Sequence, residues 1–249
     1  MYLETGWGDF IYSDSASKDN RDSCDPLRAY AKPDYYREIA SLTAAWCDTC
    51  ALRPKKYCDV GGSVGRMLYE IHLRFSSLER LCLVDPVPEF INWARRLLTG
   101  QVCSLAIPVI DKLGKAAARK PDSLPAPLLG AYKQLSFYDT AVEKAFKRMA
   151  HFDLITCLNV VDRHPDPEAL IEYIRDLLVP RGLLILSSPL HFLDDIVPDK
   201  TKWVDDIKEL LPEQGFGVVG ESNTLFDVRD YRRRWTRYNC QVVGLIKAT

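Results

Sequence analysis

Hydrophobic and polar positions change period along the chain. From residue 56 onward, short apolar runs alternate with segments whose apolar residues recur every three to four positions. KYCDVGG (56–62), RLCLVDP (80–86), FDLITCLNVV (152–161) and GLLILSSP (182–189) read as strands. VGRMLYEIHLRF (64–75), PEFINWARRLLTG (88–100) and PDPEALIEYIRDLLVPRG (165–182) read as helices between them. The second helix opens on Pro and closes on Gly, and the third carries acidic residues in its first turn, as helix polarity favours. Upstream, Pro33-Asp34 opens a helix with apolar positions at Tyr36, Ile39, Ala40, Leu42, Thr43 and Trp46. Residues 1–33 are polar and aromatic without a clear period, and SDSASKDNRDSCD reads as a loop. Downstream, GFGVVGESNTLFDV (215–228) and TRYNCQVVGLIKAT (236–249) form two strands with no helix between them.

Alternation of strands and helices predicts an α/β fold: a Rossmann-like, seven-stranded, mostly parallel sheet with helices on both faces. The last two strands predict an antiparallel C-terminal hairpin on one edge. At about 150 residues per domain, 249 residues fit one domain over 1–249, with an N-terminal cap at 1–50 and an insertion at 101–135.

Composition narrows the class. Hydrophobic residues make up 47% and charged residues 27%, the profile of a soluble globular protein. Lys plus Arg number 33 and Asp plus Glu 34, so the formal charge is −1. That balance favours a small-molecule substrate over nucleic acid or an anionic membrane surface. The start has no basic-then-apolar leader, and no apolar run approaches about 18 residues, so the expected location is cytoplasmic. Of eight cysteines, Cys58, Cys82, Cys157 and Cys240 fall on expected strands as small buried hydrophobes. Cys47-x-x-Cys50 lacks a second ligand pair, and no metal site is expected.

Candidate chemistry gathers at the strand ends. In Asp59-Val60-Gly61-Gly62-Ser63-Val64-Gly65 a strand ends in a carboxylate, turns through glycines and enters a helix. Glycine lets a ligand approach the backbone. A carboxylate there repels pyrophosphate but suits a cationic amino-acid tail. Asp85, followed by Pro86, ends the next strand about 20 residues on, where a carboxylate can accept two ribose hydroxyls.

This arrangement resembles the class I S-adenosylmethionine-dependent methyltransferases. The resemblance implies S-adenosyl-L-methionine as cofactor, with Asp59, Gly61, Gly62 and Gly65 near its methionine portion. It further implies Asp85 and Pro86 at the ribose, Asp139 and Thr140 near adenine, and Asn159 where the methyl group is presented. Asn159-x-x-Asp162-Arg163-x-x-x-Pro167, FYDTA (137–141), Ser188-Pro189 with Trp203, and the arginine-rich tail from Leu225 resemble more narrowly the methyltransferase domains of ovothiol biosynthesis. Those domains methylate a ring nitrogen of a thiol-bearing histidine. The resemblance implies Asn159, Asp162 and Arg163 as catalytic residues, with Asp162 and Arg163 also as substrate contacts. Among the N-terminal aromatics, Tyr12 and Tyr36 are candidates to stack on the substrate or steady a cation, and Arg229 is the candidate to fork onto a substrate carboxylate. Another small-molecule N- or O-methyltransferase and a protein-histidine methyltransferase stay open as alternatives. For single residues, plainer roles compete. Asp162 and Arg163 can pair with each other, Arg232, Arg233, Arg234 and Arg237 can form a solvated face with Trp235 as core, and His164 and His191 can be proton acceptors or surface groups.

Overall fold

The computed structural model describes residues 2–11, 34–100, 107–110, 116–119, 126–128, 134–149, 151–212, 215–231 and 234–249. In chain order the elements are α1 (Tyr2–Ile11), α2 (Asp34–Thr49), β1 (Lys56–Val60), α3 (Arg66–Arg74), β2 (Arg80–Val84) and α4 (Pro88–Leu98). Next come β3 (Ile107–Ile110), β4 (Ala116–Arg119), β5 (Gln134–Tyr138), α5 (Val142–Ala145) and β6 (Phe152–Leu158). The chain closes with α6 (Pro167–Leu177), β7 (Leu178–Ser188), β8 (Phe216–Tyr231) and β9 (Arg234–Lys247).

Seven strands form one sheet in the order β5-β2-β1-β6-β7-β9-β8. The first five run parallel, and β9 pairs antiparallel with both β7 and β8. The expected fold class and its C-terminal hairpin are therefore present. Strand order reverses between β1 and β6, which opens a crevice at their carboxyl ends.

The central strands β1, β2 and β6 are mostly buried and apolar because both faces are covered, whereas β5, β8 and the first half of β9 carry polar, partly exposed positions. Tyr57, Leu81, Leu83, Leu154, Leu183, Ile185 and Val242 face a core with Ile39 and Trp46 of α2, Met67, Leu68 and Ile71 of α3, and Ile91 and Leu97 of α4. Cys58, Val60, Cys82, Val84, Ile155, Cys157, Leu184 and Leu186 face the opposite core with Leu170, Ile171 and Ile174 of α6. The four strand cysteines are buried free thiols, Cys240 among them on the first face. Cys47 is buried in α2, where burial pushes its thiol up to about 12.

Trp46 lies flat on the C-terminal hairpin. A Cβ on Gly244 would stand 2.4 Å from its ring and one on Gly220 2.2 Å from it. Bare backbone at both positions lets α2 settle onto β8 and β9.

Three points go beyond or against expectation. Residues 2–11 are helical, where the sequence shows no clear period; the expected loop SDSASKDNRDSCD lies outside the described residues. A short segment with mixed aromatics has no readable period, and tertiary contacts fix it. Trp7 Nε1 donates to the Val64 carbonyl at 3.0 Å. Arg66, 1% exposed, holds Asp9 (2.7 and 2.9 Å), Glu70 (3.0 and 2.6 Å) and the Gly6 carbonyl (2.7 Å), with its guanidinium 5.1 Å from the Trp7 ring. Second, β5 begins at Gln134, inside the expected insertion, because it pairs with β2 in register from Gln134↔Arg80 to Tyr138↔Val84. The described part of that insertion also holds a two-stranded ladder of β3 and β4. Third, Trp235 is only half-buried.

Candidate functional site

A cavity of about 400 Å³ opens at the carboxyl ends of β1, β2, β6 and β7, in the crevice that the strand reversal creates. Asp59, Gly61, Gly62, Ser63, Asp85, Pro86, Val87 and Phe90 line one half, with Tyr2 of α1 above them. Tyr35, Tyr36, Asn159, Asp162, Arg163, Pro189, Phe226 and Tyr238 line the other.

The first half is built on the turn between β1 and α3. Gly61 has φ +69°, and its N–H donates to the Val84 carbonyl at 2.8 Å. A Cβ there would stand 2.2 Å from Val160 Cγ2. A Cβ on Gly62 would stand 2.6 Å from Asp59 Oδ2. The turn therefore accepts no side chain at either position without displacing a neighbour.

Asp59 is buried beneath this turn. Its Oδ1 accepts from Thr156 Oγ1 at 2.8 Å, and Thr156 in turn lies 2.5 Å from the Tyr57 hydroxyl. Its Oδ2 has no hydrogen-bond partner among the described residues. Burial pushes the carboxyl up to about 7, the Thr156 hydrogen bond opposes that rise, and nearby Asp85 adds to it. Asp85 clamps both ends of the half-site. Its Oδ2 accepts from Ser63 N and its Oδ1 from Val87 N, each at 2.9 Å.

This half fits the amino-acid and ribose ends of S-adenosylmethionine. A buried carboxylate oxygen with no partner answers a cationic amine. The glycine turn offers backbone in place of side chains. Each Asp85 oxygen keeps a lone pair for a hydroxyl. Apolar Val87, Phe90 and Tyr2 continue the wall; the Tyr2 and Phe90 rings lie 4.8 Å apart.

The second half starts at Asn159, the first residue past β6. Its backbone is left-handed at φ +56°, and its N–H donates to the Ser187 carbonyl at 2.7 Å. Asn tolerates that region better than most residues, because its side chain bonds locally. Tyr35 Oη lies 3.2 Å from Asn159 Oδ1 and 3.0 Å from Ser187 Oγ. Asp162 follows in a 3₁₀ turn (Val161–Arg163) and is 1% exposed. Its Oδ2 accepts from Arg163 Nη1 at 3.1 Å and from His191 N at 3.2 Å. Its Oδ1 is buried with no partner among the described residues. Burial raises its proton affinity, against the pull of Arg163. Arg163 Nη1 also bonds the carbonyls of Asp162 and His191. Tyr35, Tyr36 and Phe226 pack together, with Tyr35 4.6 Å from Phe226 and 5.2 Å from Tyr36.

Asp59, Gly61, Gly62, Asp85, Pro86, Tyr36, Asn159, Asp162 and Arg163 therefore share one cavity. Other expected site residues stand elsewhere. Gly65 caps α3 with φ +82°, and a Cβ there would stand 2.8 Å from Leu98 and 3.2 Å from Ala94, so it serves the packing of α3 on α4. Asp139 and Thr140 follow the edge strand β5 and do not line the cavity. Tyr12 lies outside the described residues, and Arg229 is described only as strand backbone. His164 does not line the cavity either. Its Nδ1 meets the Asp166 carbonyl at 2.6 Å and its Nε2 lies 3.5 Å from Glu143, beside the cap that Asp166 gives α6. His191 acts through its backbone, while its ring packs 5.9 Å from Tyr238. Arg237 is forked onto Asp227 at 2.7 and 2.8 Å.

Sequence reasoning missed Tyr2, Tyr35, Phe90, Phe226 and Tyr238. One signal existed for Tyr35: with Ile39, Thr43 and Trp46 it forms the buried stripe of α2, at its end nearest the site.

Comparison with known proteins agrees with this geometry. The family model described as "Methyltransferase domain" matches residues 30–245. A segment is 32% identical over 95 residues to ubiquinone biosynthesis O-methyltransferase of Colwellia psychrerythraea, covering 33% of this chain and 38% of that protein. The match thus spans well under half of that relative. N-methyltransferase NodS of Bradyrhizobium japonicum aligns with a TM-score of 0.54 at 14% identity, over 87% of this chain and 98% of its own. Magnesium protoporphyrin IX methyltransferase of Synechocystis, solved with bound SAM, aligns with a TM-score of 0.53 at 14% identity, over 99% and 94%. No described helix is long and apolar enough to cross a membrane. With a family match across 30–245 and this strand order beneath the cavity, the chain belongs to the methyltransferase-domain family, the class I S-adenosylmethionine-dependent methyltransferases.

Proposed function

We propose that this chain methylates a ring nitrogen of a small imidazole-bearing amino acid, a thiol-histidine of the ovothiol type, in the cytosol and as one domain. The observation that carries the reading is Asp162: a buried carboxylate on the cavity wall with one oxygen held and the other unmatched. When bound, S-adenosylmethionine supplies an activated sulfonium methyl, so the protein's task is alignment more than activation. Asp162 Oδ1 accepts the ring N–H and leaves the opposite nitrogen's lone pair free to attack. Methylation makes the ring cationic, and the same oxygen stabilises that charge and receives the proton. The raised proton affinity of Asp162 suits this duty. Arg163 spends Nη1 on the loop, and its remaining guanidinium edge serves the amino acid's carboxylate. Tyr36, Phe226 and Tyr238 flank the ring, where aromatic faces favour a cation. Tyr12 and Arg229 stay in this reading as further substrate contacts on the strength of the sequence.

On the cofactor side the proposed set is Asp59, Gly61, Gly62, Asp85 and Pro86, with Asn159 on the substrate side where the two halves meet; Gly65, Asp139 and Thr140 do not line the cavity.

A second reading, O-methylation of a phenol, has one observation in its favour: the 95-residue match to a ubiquinone-pathway O-methyltransferase. Asp162 would then take a hydroxyl proton. Methyl-transfer assays with thiol-histidine, histidine, a histidine peptide and a catechol separate these readings. Transfer to thiol-histidine is expected. Transfer to catechol alone would replace the imidazole reading, and transfer to the peptide alone would point to a protein substrate.

A further inference from the structure

We infer that Asn159 faces the substrate with its amide N–H groups, that Tyr35 is the residue that positions it so, and that the substrate carries a hydrogen-bond acceptor beside its methyl-accepting atom. This rests on the assignment of the β6–β9 half of the cavity to the substrate; it does not need the substrate to be an imidazole.

The backbone of Asn159 is pinned by its left-handed φ and by the bond to the Ser187 carbonyl, so its side chain leaves β6 in a fixed direction. Only the two ends of the amide remain to be assigned. Oδ1 lies 3.2 Å from Tyr35 Oη and 3.6 Å from Cys240 Sγ. Both neighbours hold a proton at neutral pH. Burial lifts the Tyr35 phenol well above its ordinary value and pushes the Cys240 thiol up to about 12. Tyr35 has one proton and two neighbours. The phenol O–H is placed to donate both to Ser187 Oγ, 3.0 Å away, and to Asn159 Oδ1, so the carbonyl end of the amide is the one that faces it. Two donors thus converge on Oδ1, and a carbonyl oxygen has lone pairs for both. Turning the amide over would leave the buried Cys240 thiol with no acceptor there. Nδ2 is the end left for the cavity, which Asn159 lines.

The substrate half therefore offers two unlike groups: an acceptor at Asp162 Oδ1 and a donor at Asn159 Nδ2. A ligand matching both presents an N–H or O–H on one side and an acceptor on the other. On a thiol-bearing imidazole the ring N–H answers Asp162 and the sulfur answers Asn159. Histidine lacks the second group and leaves the Asn159 donor unmatched. Sites built around a hydrogen bond discriminate strongly against ligands that cannot make it.

The first test needs no substrate. The side-chain amide signal of Asn159, assigned by its loss in Asn159→Asp, is followed by ¹⁵N NMR in the free protein. Amide protons that exchange readily with water, and that show no cross-peaks to the Tyr35 ring, are expected. Slow exchange with cross-peaks to the Tyr35 ring would overturn the inference. The second test is kinetic. Tyr35→Phe should raise KM for thiol-histidine about 10-fold, the worth of one hydrogen bond, with kcat and the constants for histidine little changed. An equal loss for both substrates would mark Tyr35 as merely structural and overturn its positioning role. If no imidazole is methylated at all, the reading under Proposed function fails, and the NMR result alone decides the orientation of Asn159.

Discussion

The two halves of the cavity are assembled in different ways. Apart from Tyr2, the cofactor half comes from one stretch of chain, Asp59 to Phe90, wound through β1, α3, β2 and the start of α4. The substrate half draws on α2, the turn after β6, the end of β7 and the hairpin of β8 and β9, residues 35 to 238. The first is rigid because short bonds tie neighbouring turns, as when Asp85 holds Ser63 and Val87 together. The second depends on long-range packing to bring Tyr35 within reach of Asn159, 124 positions away. One half should therefore fail by local obstruction, the other by loss of single polar groups or of packing far from the site.

The largest effect is expected at the point where the halves touch. Gly61→Ala puts a methyl 2.2 Å from Val160 Cγ2 on a backbone at φ +69°, where alanine is strained. S-adenosylhomocysteine binding by calorimetry should be lost at millimolar ligand, with the far-UV circular dichroism retained. Adding Val160→Ala should recover part of the binding, since it removes the clashing methyl and leaves only the backbone strain.

Next in size is Asp162→Asn, which keeps the shape and removes the proton acceptor. Loss of a general base costs typically 10²–10⁴ in rate. A fall of that order in kcat is expected, with S-adenosylhomocysteine affinity within about twofold, because Asp162 belongs to the other half. A parallel loss of cofactor affinity would show that the halves are not separable.

The third effect is a pH dependence confined to the cofactor half. Burial holds the Asp59 carboxyl at about 7 in the folded chain, above its ordinary 3.8. Between those values the folded protein binds the extra proton and the unfolded chain does not. Stability of the free protein therefore falls as pH rises through that window. A cationic ligand selects the carboxylate, so its binding releases a proton and strengthens as pH rises towards 7. Calorimetry should show affinity for S-adenosylmethionine weakening by up to about tenfold per unit below that point. Asp59→Asn should flatten the profile. A wild-type profile that is already flat would remove Asp59 from contact with the cofactor's cation.

The same contrast explains what the sequence discloses. Asp59, Gly61, Gly62 and Asp85 stand close together in a pattern with a local physical reason, so the cofactor half is legible residue by residue. Asp162 and Arg163 are legible as an oddity: a loop-and-cap reading covers 165–167 and leaves those two unexplained. Their pairing is real, but it holds only one carboxylate oxygen, and that detail exists only once β7 brings His191 alongside. Phe226 and Tyr238 look like any strand aromatics until the hairpin register pairs them with each other. Residues 2–11 fail differently. Their helix is specified by Arg66, 57 positions from Asp9, and no local period announces it. Gly65 is ambiguous in sequence because a glycine before a helix serves ligand approach and helix packing equally well, and the structure adds the packing role through Ala94 and Leu98.

The smallest effect tests whether the substrate half is held from behind. Trp46 sits on the bare backbone of Gly220 and Gly244, at the opposite end of α2 from Tyr35. Gly244→Ala would place a methyl 2.4 Å from Trp46 Cε3. The ring lies against two strands, and the added methyl is expected to push it, and α2 with it, away from the hairpin. Overpacking of this kind costs about 1–3 kcal/mol, and in a chain of this size each kcal/mol lowers Tm by about 2–4 °C. Tilting α2 displaces the Tyr35 hydroxyl from Asn159, whereas the turn from Asp59 to Ser63 has no part in that contact. The variant should therefore melt a few degrees lower, bind S-adenosylhomocysteine normally and show a raised KM for the methyl acceptor. Weakened cofactor binding at an unchanged acceptor KM would mean that α2 supports the wrong half, and that the division drawn through the cavity is misplaced.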